Sequence, residues 1–576
     1  MTNYQPDEHA AQESPRRHIM LLLGLCAALW WWSYGLWDLW GPDEGRYVQI
    51  ARELLGRANW FMLTVHGEPY NQKPPLPFWM FAWMLKLGGG NVNVWLVRLP
   101  PMLFATGSVL LTYLIGRRWW GARTGLLAAL ILLAAPQFMD NAQPAELDML
   151  LCGGATLALA GWLLRGPSPE ARRAVPLGWP LATMLWLGVI IGFFIKGPVV
   201  LLFVCSALLG ACLGRRSPQP LWAARVQFGL PVLLLLAFGW MRVQEAAYGA
   251  AFVEAQMKTA TVDRLVHADH SEAFYYYIPR LFTSIYAPWM LIALFAYMRA
   301  WREWRAKRPL PEPIPDLLGL TLISFLVFSI FSGKRQSYLL PLMPGLALLT
   351  AWQLDAWYAR GLRARWLSHA LAALAGVLCV AAALLALAPL LHARLAAVGY
   401  EAAMWHSVVA IGIAIGFALV LRHARRAQGE LPPLMHALIA ALMLIGLTQF
   451  AILNPALDKK KSTRAFAAEM QQYLATQGEK QLGAFEKAAR PMYHIYGNYA
   501  VRDLQEDGDL LDGPAKLPRL LLVRAEDPGE QKTPNAPPEL TKFEKKLLAH
   551  GFTLQKEFLT TGDRLRVYSH TPETAK

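Results

Sequence analysis

The sequence predicts a polytopic α-helical membrane protein with a small soluble α/β domain at its C-terminal end. Three observations predict it: recurrent apolar runs, arginine clusters in the short loops between them, and a change of composition near residue 454. Of 576 residues, 55% are hydrophobic and 23 are Trp, and the mean hydropathy is +0.29. Apolar runs of roughly 18–22 residues recur over the first three quarters, long enough to cross a hydrocarbon core about 30 Å thick. In lipid the backbone has to satisfy its own hydrogen bonds, so these runs read as helices.

Residues 1–18 form a polar N-terminal tail, followed by a first span at about 19–40. That span is long and Trp-rich at its end, with no small-residue cleavage site after it, which marks a retained helix rather than a signal peptide. Further spans are expected at about 99–116, 122–139, 147–164, 178–195, 197–214, 221–241, 281–298, 316–332, 338–357, 367–390, 405–421 and 434–453, about thirteen in all. The net charge of +15 sits largely in short loops, at Arg16-Arg17, Arg117-Arg118, Arg172-Arg173, Arg215-Arg216, Arg302 to Arg308, Arg360 to Arg365 and Arg422 to Arg426. This is the pattern of cytoplasmic loops and gives no reason to expect nucleic acid. It sets the N-terminus inside and everything after Asn454 on the opposite side.

Two far-side loops are long, at about 41–98 and 242–280. The first holds a helical pattern at Arg46–Leu55 and an aromatic amphipathic stretch at Pro77–Leu87, suited to lying at the membrane interface. Residues 454–576 have the composition of a soluble domain. A helix is expected at Ser462–Gln477 with Ser462 as its cap, then a strand at Leu517–Val523, a helix at Glu539–His550, and a hairpin over Phe552–Ser569 turning at Thr561-Gly562-Asp563. Cys26, Cys152, Cys205, Cys212 and Cys379 all fall in apolar runs without metal-ligand spacing, and the soluble domain has no cysteine to form a disulfide framework.

Charged groups near a membrane face water, pair, or do chemistry. Those at far-side span ends are Asp43, Glu44, Arg46, Lys73, Glu146, Asp148, Lys196, Arg264, Lys334 and Arg335, with Tyr338 beside them. Lys334-Arg335 occupies a far-side turn, against the charge bias of the rest. Carboxylates with an excess of cations suggest a site for an anionic head group plus an acid that acts on a substrate. The plainer reading is that the acids offset the cations to hold the loops. His267-Ala268-Asp269-His270 has suitable zinc ligands but no clear third or fourth partner, so no metal is expected beyond a weak structural candidate at His267 and His270. Trp30-Trp31-Trp32 and Trp119-Trp120 read as interfacial anchors.

The chain resembles the polyprenyl-phosphate-dependent membrane glycosyltransferases related to protein O-mannosyltransferases. The residues that carry the resemblance are Pro42-Asp43-Glu44 with Arg46, Lys73-Pro74, Asp148, Lys196-Gly197-Pro198 and the segment from Arg264 to Tyr276-Tyr277. Within that family it looks most like the bacterial branch that moves aminoarabinose onto lipid A. Relatives often have Glu before the Lys-Pro pair where Gln72 stands here. The resemblance implies a GT-C type fold and an inverting, metal-independent transfer without a cofactor. It implies an undecaprenyl-phosphate-linked sugar donor, best matched by 4-amino-4-deoxy-L-arabinose, and a lipid A phosphate acceptor at the periplasmic face of the inner membrane. Asp43 and Asp148 would be catalytic; Glu44, Arg46, Lys73, Lys196, Arg264, Lys334 and Tyr338 would bind substrate. Transfer to a protein hydroxyl or another glycan is the alternative within the family. A lipid-linked-sugar transporter would show internal repeats and midplane charges, which this sequence lacks. An assembly protein would leave the far-side acids and cations unexplained.

Overall fold

The first helix of the membrane part stops at Trp31, and a buried arginine captures the chain several residues later. The structure, a computed structural model, describes residues 15–33, 35–166, 176–257, 272–387, 404–485, 491–497, 499–504, 517–524, 542–560 and 563–569. α1 (Pro15–Cys26) runs on through a π-helical turn, Ala27–Trp31, and stops there rather than at the expected Trp40. The backbone carbonyls of Trp37 and Asp38 instead accept hydrogen bonds from the Arg98 guanidinium at 3.0 and 2.8 Å. A carbonyl committed to that side chain lies outside any helical ladder.

α2 (Gly41–Leu55) follows, then the hairpin β1 (Thr64–Val65) and β2 (Glu68–Pro69), then α3 (Leu76–Leu87). α2 begins earlier than the pattern at Arg46 suggests. Pro42 in its first turn loses no intrahelical bond, and Asp43 and Glu44 face the positive end of the helix dipole. The expected interfacial stretch is helical, but only partly superficial. Phe78 and Phe81 are fully buried while Trp83 is exposed; Phe78 packs edge-on against Tyr47 at 5.8 Å and Tyr70 at 5.6 Å.

The bundle continues through α4 (Val94–Val97), α5 (Leu99–Trp120), α6 (Ala122–Leu133), α7 (Pro136–Asn141), α8 (Leu147–Leu163), α9 (Trp179–Lys196), α10 (Val199–Arg215), α11 (Gln219–Ala223) and α12 (Val226–Tyr248). Among the described residues, seven helices are long and apolar enough to cross a membrane by length and composition, and five shorter apolar helices accompany them. Every expected apolar stretch contains helix, yet several are interrupted. Pro136 restarts the chain after α6. The stretch at 281–298 is split into a π-helical turn, Leu281–Ile285, and the helix Trp289–Arg305; that at 316–332 contains another π-helical turn, Gly319–Ile323.

α8 and α9 pack antiparallel through small residues. A Cβ on Gly188 would lie 2.4 Å from the Ala158 nitrogen and 2.6 Å from the Gly154 oxygen; one on Gly161 would lie 2.3 Å from the Leu185 nitrogen. With no hydrophobic effect to drive helices together inside lipid, such close backbone approach supplies the packing. It also sets register, bringing the first turn of α8 level with the last turn of α9.

The C-terminal domain starts with the helix Arg464–Thr476. A five-stranded sheet follows in the order β4-β3-β5-β7-β6, built from β3 (Gln481–Phe485), β4 (Ala500–Leu504), β5 (Leu520–Arg524), β6 (Thr553–Thr560) and β7 (Asp563–Ser569). β3 pairs in parallel with β4 and β5, and the β6–β7 hairpin adds antiparallel to β5. Helix Arg464–Thr476 covers one face with Phe466, Met470 and Leu474. Helix Lys542–Ala549 covers the other with Phe543 and Leu547. The strand at Leu520–Arg524 and both helices match the sequence reading; β3 and β4 do not, being short and weakly patterned. The hairpin tip at Thr561-Gly562 lies outside the described residues. Thr463 holds the N-cap position without a side-chain cap bond, while the Ser462 hydroxyl accepts from the Arg464 backbone N–H at 3.2 Å and donates to the Asp38 carboxylate.

Gly188→Val is expected to lower stability by about 1–3 kcal/mol through overpacking, while Gly239→Val, with open space around it, leaves it unchanged. Thermal unfolding of both variants in detergent measures the difference.

Candidate active site

The first turn of α2 presents two adjacent acids, and the fold sends them in different directions. Glu44 points inward and is buried, as is Arg98 at the start of α5. Its Oε1 accepts from Arg98 Nε at 3.1 Å and from the Ala145 backbone N–H at 2.7 Å; its Oε2 accepts from Arg98 Nη2 at 3.2 Å and the Trp40 N–H at 2.8 Å. Arg98 also lies over the Trp37 ring at 5.0 Å. Both carboxylate oxygens are therefore taken by protein donors. The bonds of Glu44, expected to bind substrate, tie α2, α5 and the segment before α8 into one junction. Arg98 escaped the sequence reading. Its signal is a lone arginine at a far-side span start, where the basic bias predicts none.

Asp43 points outward. Its Oδ2 accepts from Arg335 Nη1 at 2.8 Å, and its Oδ1 lies 3.8 Å from Arg46 Nη1. Arg335 is half exposed and Arg46 a third exposed, so this pair borders water. The Arg335 carbonyl accepts from the buried Tyr277 hydroxyl at 3.2 Å, which fixes the turn. Burial of Arg335 works against its charge, but the bond to Asp43 more than offsets this and holds its proton above the ordinary range.

The second acid, Asp148, stands in the first turn of α8 and accepts from Lys196 Nζ at 2.5 Å. Register between α8 and α9 makes this pair, from residues far apart in sequence. Lys196 also lies 4.8 Å from the centre of the Tyr338 ring. Tyr47, buried on α2, joins the two pairs: burial first, then the charges of Asp43, Tyr70, Asp148 and Glu146, push its phenol well above its usual range. Glu146 completes the acid group. Burial, then the charges of Asp148, Glu44 and Asp43, raise its carboxyl to about 8, with Lys196 opposing.

Lys334, expected to bind substrate, is turned inward. It is buried, and its Nζ donates to the backbone carbonyls of Glu272 at 2.8 Å and Phe331 at 2.5 Å. Two carbonyls in its coordination make it a brace for the 331–335 turn that aims Arg335 at Asp43. Arg335 thus takes the place beside the acid. Lys73 is half-buried between β2 and α3. Arg264, His267 and His270 lie outside the described residues. Among the described residues, no group of three or more His, Cys, Asp or Glu could hold a metal ion.

The C-terminal domain is seated on the same loop. Arg464 Nη2 donates to Asp38 Oδ1 at 2.6 Å, Trp40 Nε1 to Asp458 Oδ1 at 2.8 Å, and the Leu39 N–H to the Tyr496 hydroxyl at 3.0 Å. Arg52 on α2 reaches the carbonyls of Ile495 and Gly497 at 3.0 and 2.8 Å. Burial alone would raise the Asp38 carboxyl, but Arg464 and Ser462 hold it below its usual value.

Residues 72–240 match the family model described as dolichyl-phosphate-mannose-protein mannosyltransferase. The undecaprenyl phosphate-alpha-4-amino-4-deoxy-L-arabinose arabinosyl transferase of Pseudomonas aeruginosa (strain LESB58) is 32% identical over 54% of this chain and 55% of its own length. The protein of the same name from Edwardsiella ictaluri is 31% identical over 61% of this chain and 62% of its own. The chain thus matches somewhat over half the length of these curated relatives. The crystal structure of ArnT from Cupriavidus metallidurans bound to undecaprenyl phosphate superposes with a TM-score of 0.71 at 20% identity, over 96% of this chain and 98% of that one. Its apo form gives 0.68 at 19% identity, over the same shares. The chain has this fold: a polytopic helical bundle with a C-terminal mixed-sheet domain.

Glu146 gives a pH test. A carboxyl raised from its ordinary value of 4.5 to about 8 keeps its proton in the folded state while the unfolded chain loses it. The folded state then binds more protons across that window, so this group's contribution declines as pH rises from 4.5 towards 8. Glu146→Gln is expected to flatten that part of the stability curve, measured as the thermal midpoint against pH.

Proposed function

We propose that this chain, whose residues 72–240 match the dolichyl-phosphate-mannose-protein mannosyltransferase model, is an inverting glycosyltransferase using a polyprenyl-phosphate-linked sugar. The best-supported donor is undecaprenyl-phosphate 4-amino-4-deoxy-L-arabinose, and the best-supported acceptor is a lipid A phosphate, as in polymyxin resistance. The activities named for the relatives support the sugar, and the ligand of the ArnT structure supports the carrier. The observation that carries the reading is convergence: Asp43–Arg335 and Asp148–Lys196 come from four separate chain segments and meet around Tyr47 and Tyr338.

The chemistry asks for such a grouping. The acceptor oxygen attacks the anomeric carbon while the bond from that carbon to the phosphate oxygen breaks. The bonding pair leaves with the phosphate, whose growing charge needs fixed cations rather than a proton donor. Lys73 and Arg264 are assigned to the phosphate, since both are cations on the long loops; an arginine can engage two oxygens at once. A lipid A phosphate is already largely ionised, so Asp43 orients the acceptor or holds the sugar's ammonium. With a hydroxyl acceptor it would be a general base. Asp148 is assigned to hold Lys196 at the edge of the site, and Arg46 stands beside Asp43 at 3.8 Å.

The topology that goes with this reading has about thirteen crossings. The tail 1–18 is cytoplasmic, 19–453 forms the membrane domain, and 454–576 is periplasmic with the active site. Introduced cysteines in 41–98 and after Asn454 should be labelled from outside the inner membrane; labelling of both only from the cytoplasm overturns it.

Mass spectrometry of lipid A from cells with and without the chain tests the function, with a pentosamine-sized gain expected only in its presence. Lys73→Met and Arg264→Met should each weaken binding of undecaprenyl phosphate to the purified protein. Arg264→Lys should restore it only in part, because the point charge returns without the planar fork. A protein that modifies a polypeptide or another glycan and leaves lipid A unchanged favours the alternative acceptor.

A further inference from the structure

At the other end of the bundle from Asp43 lies an open cavity of ≈ 640 Å³ between α1 and the helices Met404–Arg426 and Leu431–Thr448. Its size is within the range of about 300–1,000 Å³ typical of ligand sites. Leu29, Leu419 and Leu447 are among the apolar side chains that form its walls. Arg422, His423, Arg426 and His436 gather at one end, all four exposed. The placement of that end follows from the chain. The helix that carries His436 continues to Asp458, the acceptor for Trp40 beside the acid-bearing turn. Helical rise over those residues separates His436 from that turn by roughly 30 Å, the thickness of a bilayer core. Arg123, just after the Arg117-Arg118 pair, lies within electrostatic reach of His436.

From His436 to Leu447 the wall extends about 16 Å along the helix, a good part of an acyl chain. Among the described residues no carboxylate lines the cavity, and the nearby Glu430 is paired with Arg363 at 3.1 Å. A basic mouth at a membrane face with a long apolar wall behind it complements an amphiphile with an anionic head. Basic side chains at a membrane surface attract such lipids by about 1 kcal/mol each.

We propose that this cavity binds an anionic phospholipid of the leaflet opposite the active site. The phosphate rests on Arg422 and Arg426, and one acyl chain lies along the helix Leu431–Thr448. The site is separate from the sugar-donor site, and the test needs no donor, so its failure leaves the transferase reading standing and the reverse also holds.

Native mass spectrometry of the full chain in detergent decides, with phosphatidylglycerol, phosphatidylcholine and inorganic phosphate as probes. Retention of phosphatidylglycerol over phosphatidylcholine is expected. The double change Arg422→Gln with Arg426→Gln should weaken it about thirtyfold, and Ala440→Trp, which fills the apolar wall, should abolish it. The arginines are exposed, so the double variant should fold, and its thermal midpoint checks this. Equal retention of the two lipids overturns the proposal. So does phosphatidylglycerol binding that neither set of changes alters, or inorganic phosphate that binds as tightly as the lipid.

Discussion

The buried pair of Glu44 and Arg98 is the constraint on which the far-side architecture depends. Two ions removed from water cost several kcal/mol each, and only complete hydrogen bonding returns that. Here each carboxylate oxygen takes two donors, and the guanidinium takes two carbonyls besides. Because the pair tolerates no missing partner, it fixes five things together: the end of the first span, the start of α2, the start of α5, the approach to α8, and the direction of the acid next to it. Asp43 faces water because Glu44 cannot.

A second, independent scaffold delivers the other acid. Glycines at the α8–α9 contact let the backbones touch, and the shared register sets Asp148 opposite Lys196. Both acids thus stand on helices, which favours holding charge ready before the reaction. Loop elements refine it. Lys334 braces the turn from inside while its neighbour Arg335 meets Asp43. The C-terminal domain grips the chain just before α2 through Asp38, and α2 itself through Arg52, so its seating and the acid's position are mechanically joined.

Much of this was legible in the residues. The apolar runs, the composition change at 454 and the acids at span ends can be read because each obeys a strong rule of solvation. Asp43 and Asp148 stand out in the sequence for that reason, and the structure sets both within electrostatic reach of Tyr47. What could not be read is direction. Asp43 and Glu44 are chemically alike and adjacent, and only tertiary partners distinguish the one facing water from the one clamped inside. Lys334 and Arg335 pose the same problem in cationic form. Arg98 stands out only as a lone arginine at a far-side span start, which does not name its partner, and the π-helical turns have no signature in an apolar run.

The division of labour within that first helical turn is most directly tested by comparing Asp43→Asn with Glu44→Gln, scoring both turnover and thermal stability on purified protein. The account predicts that Asp43→Asn loses turnover with little change in stability, since a partly exposed ion pair contributes about 1 kcal/mol or less. Glu44→Gln should lose about 3–5 kcal/mol of stability by stranding the Arg98 charge, while the fraction that stays folded keeps turning over. The reverse pattern, with Asp43→Asn active and Glu44→Gln folded but inert, would contradict it.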